Sequence, residues 1–516
     1  MKKILGIELG STRIKAVLIN DTGAVIANGT HDWENSFENG YYTYSLDSVW
    51  TGVQSAFSML KENVKIKTGE NLDTIDAIGV SAMMHGYMPF DKNDNLLTAF
   101  RTWRNTNTTK AARELTDILN FNIPERWSIA HIYQAILNNE THVNDISYLT
   151  TLAGYVHWKL TGEKVLGVGD ASGMFPIDST ICSYDINKLS VVDSLLSDNR
   201  INYKLSDILP KVLNAGDNAG FLTERGAKLL DISGKLKAGV PFCPPEGDAG
   251  TGMVATNSIT IKTGNVSAGT SVFAMVVLEK ALKNLHREID MVTTPDGNPV
   301  AMAHCNTCTS DLDAWVNMFY EFLGYAGSNI SKGALYDLFY EKALLGAKDC
   351  DGLVSYNYYA GEPVVNVEKG VPLFMRKPNS KMSFTNFARN QVYSTMSALK
   401  IGMDILFIDE NVKIDKILGH GGLFKTPVVG QKLLAAALNV PVSTMENAGE
   451  GGPWGMALLA LYSINSHTTL TDFLNEIFKN VKSNTINPDK EDVNGFMKYI
   501  ENYKKGLACE KAASIY

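Results

Sequence analysis

An α/β protein built from two related halves is the fold class this sequence predicts, and three observations predict it. The stretch from Pro244 to Phe273 reads Pro-Pro-Glu-Gly-Asp-Ala-Gly-Thr-Gly, then an apolar run, then Ser-Ala-Gly-Thr-Ser. Near the N-terminus, Glu8-Leu9-Gly10-Ser11-Thr12 repeats the logic of Asp248-Ala249-Gly250-Thr251-Gly252: an acid, any residue, a glycine, then hydroxyl residues. Between residues 414 and 452, apolar strand-like runs ending in glycine alternate with helical stripes, the order of a βαβα unit.

The repeated stretch has a chemical reading. Glycines at 247, 250 and 252 permit positive φ and bring the main chain close to a ligand, so successive N–H groups can form an anion-binding nest. Thr251, Thr270 and Ser271 add hydroxyl donors. A carboxylate such as Asp248 would be repelled by phosphate unless it accepted a proton or held Mg²⁺ through water. A Gly-rich turn with an ordinary surface Asp is the alternative for one such stretch.

With 516 residues, 45% hydrophobic and 20% charged, the chain can bury large cores and form about two to four domains. A formal net charge of -8 argues against broad nucleic-acid or anionic-membrane binding, which needs clustered Lys and Arg. Six irregularly spaced cysteines do not make a disulfide framework and suit a reducing cytoplasm. Cys305 and Cys308, beside His304, have metal or redox spacing, but no second pair completes a zinc site, and small buried hydrophobes are the simpler reading. Glu8 and the early glycines interrupt the apolar run after Met1-Lys2-Lys3, so it is neither a signal peptide nor a membrane span.

In chain order, Ile4 to Leu9, Ile14 to Asn20 and Ala24 to Asn28 read as a meander of strands, with Gly10-Ser11-Thr12-Arg13 in the first tight turn. Lys15 lies just beyond that turn, as a phosphate contact or a solvated surface Lys. Asp47 is a candidate cap for a helix with Val49, Val53, Phe57 and Leu60 on one face. Ile75 to Ser81 reads as a buried strand running into Met83-Met84-His85-Gly86, where open α/β sheets place ligands. His85 is a hydrogen-bond donor to a hydroxylated substrate or a structural histidine. Arg101-Thr-Trp-Arg-Asn-Thr-Asn107, before a helix over Thr109 to Leu119, has the aromatic face and polar forks that suit a sugar, as an exposed turn also would. The small-residue run Val168-Gly169-Asp170-Ala171-Ser172-Gly173 has no purely local explanation. Pro241 to Pro245 is the expected boundary, giving domains over 1–245 and 246–516. Beyond it, Phe384 to Met403 forms an apolar helical stripe. A strand over Ile414 to Leu418 ends in Gly419-His420-Gly421-Gly422. A helix over Val428 to Leu438, a strand around Pro441 to Met445 and a Gly-rich helix start at Gly449 to Gly452 follow, suiting a nucleotide's base and ribose. From about Leu470 the tail is helical and charged.

Glu8-Leu9-Gly10-Ser11-Thr12 with Lys15, Met84-His85-Gly86, Leu160-Thr161-Gly162-Glu163 with Asp170-Ala171-Ser172-Gly173, Gly247-Asp248, Gly269-Thr270-Ser271, Gly421-Gly422 and Glu450-Gly451 fall in the order seen in the FGGY carbohydrate kinases. The chain resembles that family over nearly its whole length, and its xylulokinases and related pentulose kinases most, through Met84-His85-Gly86. The resemblance implies two ribonuclease H-like, actin-like ATPase domains closing over a catalytic cleft that holds sugar and ATP·Mg²⁺. By that analogy Asp248 is the general base and, with Glu8, the metal-side carboxylate. Met84, His85, Gly86, Trp103, Arg104, Asn105 and Asp248 meet the sugar. Ser11, Thr12, Arg13, Lys15, Gly269, Thr270, Ser271, Gly421, Gly422 and Lys425 meet the nucleotide. Two features depart from the family pattern. Glu8 stands where Asp is usual, and Trp103 is followed by Arg104, Asn105, Thr106 and Asn107 where a Trp-x-Asp-x-Arg segment is common.

The function expected is ATP-dependent phosphorylation of a ketopentose, D-xylulose first and L-ribulose second, with other sugars or polyols after them. An actin-like ATPase clamp and a non-catalytic sugar sensor are the readings of another class. The expected partners are a small sugar and ATP, with no nucleic acid and no membrane, and a homodimer is the assembly to test.

Overall fold

A computed structural model of the chain describes residues 2–445 and 451–515. The chain forms two compact units: Met1–Ile259 with Met291–Val300 and Gly449–Asn480, and Thr260–Asp290 with Ala301–Ala448 and Val481–Tyr516. The strands and helices that position functional groups are, in chain order, β1 (Ile4–Leu9), β2 (Arg13–Ile19), β3 (Val25–Asp32), α1 (Leu46–Thr68), β4 (Ala77–Ala82), β5 (Glu246–Gly247), α2 (Asp248–Ala255), β6 (Thr263–Ala268), β7 (Val272–Val277), β8 (Ile289–Thr293), β9 (Pro299–Cys305), α3 (Phe384–Asp404), β10 (Lys416–Gly421), α4 (Val429–Leu438), β11 (Val442–Met445), α5 (Gly451–Ser463), β12 (Ser483–Ile486) and α6 (Lys490–Ala513).

The first unit is centred on a five-stranded sheet of order β5-β4-β1-β2-β3. The meander read from the sequence is there: β1 pairs antiparallel with β2, and β2 with β3. β4 then pairs parallel with β1, and β5 parallel with β4. The second unit has a seven-stranded sheet of order β8-β9-β7-β6-β10-β11-β12. Its inner order, β9-β7-β6-β10-β11, repeats that of the first, with β6 antiparallel to β7 and parallel to β10. The duplication of acid-Gly-hydroxyl segments thus reflects duplicated topology.

The local chemistry explains the elements. α1 starts at Ser45, whose Oγ accepts from Ser48 N, and ends at Gly69 with φ 76°. Asp47, expected as the cap, lies in the first turn instead, where a carboxylate favours the helix dipole. The apolar face of α1, Val49, Val53, Phe57 and Leu60, packs in the core with β1 to β4. The stripe on α3 understates its burial: Arg389, Asn390, Gln391 and Ser397 are also fully enclosed. They are tolerated because they are paired. Arg389 Nε donates to Ala343 O at 2.8 Å, and Asn390 Nδ2 and Gln391 Nε2 both donate to Ser355 Oγ.

The glycines of the central stretch do not act as a nest. None of Gly247, Gly250 and Gly252 has positive φ; Gly247 is the N-cap of α2 at φ -77°, ψ 154°, and the other two are helical. Close packing calls for small size at Gly247, while a Cβ on Gly252 would meet no atom within 4 Å. A Cβ on Gly247 would sit 2.9 Å from Met84 Cγ. Among the described residues no helix is long and apolar enough to cross a membrane.

α5 meets the rest of its unit almost backbone to backbone. A Cβ on Gly6 of β1 would lie 2.1 Å from Pro453 O, and one on Gly455 would lie 2.1 Å from Thr251 O of α2. Gly455→Ala is therefore expected to lower unfolding free energy by about 1–3 kcal/mol through overpacking. Urea titration measures it, and an unchanged midpoint would contradict the close approach.

Candidate active site

The carboxyl ends of β1, β4 and β5 lie side by side, because Leu9 pairs with Ala82 and Ala82 with Gly247. Each end carries one predicted segment: Glu8 to Thr12, Met84 to Gly86, and Asp248. This is where open α/β sheets bind ligands.

Asp248 opens α2, and its Oδ1 accepts a hydrogen bond from Met84 N at 3.1 Å. Its surface is open to solvent. Loss of water on its protein side pushes the carboxyl up to about 6, against N–H groups of Met84 and Ala249 that pull it down. Thr251, expected as a free hydroxyl donor, is buried and bonds back to Asp248 O at 3.2 Å. Behind Asp248 stand two closed-off carboxyls that sequence reasoning did not assign. Glu246 accepts from Asp170 N at 2.9 Å and Gly169 N at 3.3 Å. Asp170 Oδ2 accepts from Thr151 Oγ1 at 2.6 Å, while Asp170 Oδ1 is buried without a hydrogen-bond partner among the described residues. Burial raises Glu246 well above the usual range and Asp170 to about 7.

The run 168–173 now has its explanation. Cβ atoms on Gly167 and Gly169 would sit 2.1 and 2.4 Å from the Glu246 carboxylate, and one on Gly173 would sit 2.6 Å from His85 Nδ1. The signal that could have found Glu246 is this pair of glycines two apart, followed by an acid.

Glu8 is half-buried, opposite Lys15 in β2 and Ser81 in β4. Burial first, then the Asp248 charge, raises it to about 7, while Lys15 lowers it. The turn after it is rigid: Gly10 N donates to Arg13 O at 3.0 Å, Trp33 Nε1 to Gly10 O at 2.7 Å, and Tyr44 Oη to Ser11 O at 2.5 Å. Thr12 is exposed, and Arg13 Nε pairs with Asp32 at 2.6 Å.

His85 and Gly86 both adopt positive φ, 72° and 101°, which for His85 is a strained conformation held by its surroundings. His85 Nδ1 lies 3.2 Å from Gly173 O, and Gly86 O accepts from Ser128 Oγ at 2.6 Å. Met84, His85 and Gly86 are all buried. Trp103 is exposed and its Nε1 donates to Ser11 Oγ at 3.1 Å, which ties the predicted sugar segment to the first turn. Arg104 stacks over Tyr42, 4.2 Å from the ring centre, and reaches Asn35. Asn105 is buried, and its amide spends both ends on backbone: Oδ1 accepts from Tyr42 N at 2.8 Å, and Nδ2 donates to Tyr42 O and Thr102 O.

In the second unit, Ala268 of β6 pairs with Gly421 of β10, which sets Gly269-Thr270-Ser271 beside Gly421-Gly422. Gly421 has φ 99°, and a Cβ there would lie 2.4 Å from Ala268 O. The first turn is held by Cys308 N to Thr270 O at 2.7 Å and Thr309 N to Gly269 O at 3.2 Å. Lys425 is exposed just after Gly422. Cys305 and Cys308 are free, buried thiols. Gly449 and Glu450 lie outside the described residues.

A sheet order repeated in two units, each with a tight glycine-containing turn at its strand ends, defines the two-domain actin-like ATPase fold. Solved structures share it. One of a xylulose kinase from Lactobacillus acidophilus aligns with a TM-score of 0.80 at 16% identity, covering 99% of this chain and 100% of that one. One of Plasmodium falciparum glycerol kinase with ADP aligns at 0.78 and 14% identity, covering 99% and 98%. In sequence, the xylulose kinase of Haemophilus influenzae is 22% identical over 517 residues, spanning 98% of this chain and 99% of that protein. The profiles of the FGGY family of carbohydrate kinases match residues 3–255 with the N-terminal domain and 264–464 with the C-terminal domain. The chain belongs to that family, and it is a sugar kinase with ATP as its phosphoryl donor.

Because Asp170 holds its proton more tightly when folded than unfolded, its contribution to stability is complete below about pH 4 and lost as pH rises through about 7. Asp170→Asn removes that dependence while keeping an acceptor for Thr151. Without divalent cation, the Tm of the variant relative to the parent is expected to rise between pH 4 and 7; a constant gap would contradict the buried proton.

Proposed function

We propose that this carbohydrate kinase phosphorylates a ketopentose, D-xylulose first and L-ribulose second, with Asp248 as the general base. The observation that carries the reading is the Met84 N–H to Asp248 Oδ1 bond, which joins the sugar loop to an open carboxylate and fixes one oxygen while the other can face a hydroxyl. A base raised to about 6 is matched to proton abstraction near neutral pH. The names of full-length relatives such as the Haemophilus influenzae xylulose kinase support the pentulose. A glycerol kinase among the structural neighbours keeps a polyol as the runner-up.

Trp103 and Arg104 present an aromatic face and a guanidinium to the sugar, and Asn105 positions that segment by clamping Tyr42. The buried Met84-His85-Gly86 loop supplies shape. Ser11 and Thr12 form the first phosphate turn, with Arg13 and Lys15 on the strand that leaves it. In the second unit Gly269 closes the turn through its N–H to Ser271 O, and Thr270 and Ser271 offer donors to phosphate, with Gly421, Gly422 and Lys425 bordering the nucleoside. Phosphoryl transfer needs chiefly alignment and charge neutralisation, which these groups provide.

Glu8 and Asp248 would hold Mg²⁺ through its water shell. Among the described residues no group of three or more His, Cys, Asp or Glu side chains forms a metal cage, and Mg²⁺ is commonly held by one or two carboxylates plus substrate phosphates. When bound, Mg²⁺ supplies charge neutralisation at the phosphate oxygens.

The test is ATP consumption across ketopentoses, ketohexoses, aldoses and polyols with a no-sugar control. Strong turnover on one ketopentose is expected, with kcat/KM for that sugar falling as pH drops through about 6, where Asp248 takes up a proton. Turnover confined to a polyol would overturn the substrate, and a flat acid limb would overturn the base.

A further inference from the structure

Gly452 lies in the first turn of α5, and the position its Cβ would take is 1.5 Å from Glu8 Oε2. No other glycine among the described residues would place a Cβ so close to another atom. The same Cβ would lie 3.1 Å from Thr251 Oγ1 on α2. α5 is seated directly on the backbones of β1 and α2, where Cβ atoms on Gly6 and Gly455 would each lie 2.1 Å from a carbonyl oxygen, so a shift of α5 would have to break close packing with both. Glu8 in turn sits on a strand paired on both sides, to β2 and β4. Both backbones belong to packed elements, so the end of the Glu8 side chain is the part that adjusts most readily. A glutamate at 8 and the absence of a side chain at 452 fit each other.

We propose that Gly452 is a positioning residue for Glu8: the space left by its missing Cβ is the seat of the Glu8 carboxylate and sets where that carboxylate meets the metal–nucleotide complex. An alanine at 452 displaces the carboxylate from this seat and so changes its placement relative to Asp248 and Lys15, the charges that act on it. An aspartate at 8, one methylene shorter, withdraws from the seat and becomes indifferent to residue 452. The inference rests on the proposed metal-side role of Glu8.

The experiment is a double-mutant cycle of Gly452→Ala and Glu8→Asp in the full-length protein, read by thermal stability and by affinity for Mn²⁺·ATP in titration calorimetry. Gly452→Ala is expected to lower Tm and weaken Mn²⁺·ATP binding on the order of tenfold, whereas in the Glu8→Asp background both effects shrink to near nothing. The double variant keeps the test available if Gly452→Ala alone folds poorly. Equal losses in both backgrounds, or none in either, would overturn the seat. Coupling in Tm with unchanged Mn²⁺·ATP affinity would overturn the positioning role, and Glu8→Gln locates that fault: if it too leaves the affinity unchanged, the metal-side reading of Glu8 has failed.

Discussion

The close approach of α5 to β1 and α2 is the constraint on which the first unit depends. β1 carries Glu8 and α2 carries Asp248, and both pack on one helix at distances that admit no Cβ at Gly6 or Gly455. Interiors packed this tightly transmit displacement and do not absorb it. The spacing of the two acids is therefore held by backbone contact rather than by side-chain pairing. The helix that does this arrives late in the chain, after every strand of the second sheet except β12.

Around that frame the carboxyls form a gradient of enclosure. Glu246 and Asp170 are sealed, Glu8 is half-covered and Asp248 is open. Backbone N–H groups satisfy Glu246 and a threonine hydroxyl satisfies one oxygen of Asp170, and burial drives both acids toward their neutral forms. The open member stays nearest the ordinary range and is the one exposed to solvent. A cluster of acids with unequal burial separates roles by environment, as sites for acid–base chemistry commonly do.

Much of this was legible in the sequence. The helices Thr109–Leu119 and Phe384–Asp404 follow their apolar periodicity almost to the residue, and the opening meander follows its strand runs. The repeated acid-Gly-hydroxyl segment disclosed the duplication. What was not legible depends on distant partners. Gly247, Gly250 and Gly252 looked like turn formers because composition cannot tell a glycine that adopts positive φ from one at a helix N-cap or inside a helix. Asn105 looked like a ligand group until its partner Tyr42, far back in the chain, was placed beside it. Glu246 was hidden because its need for Gly167 and Gly169 spans the whole middle of the first unit.

The central claim is that Asp248 takes the proton from the attacking hydroxyl, and Asp248→Asn tests it most directly. The amide keeps an acceptor for Met84 N and the size of the side chain but cannot act as a base. ATP binding should persist while turnover with the best sugar falls by about 100- to 10,000-fold. Near-normal turnover with binding intact would contradict the account and move the base elsewhere.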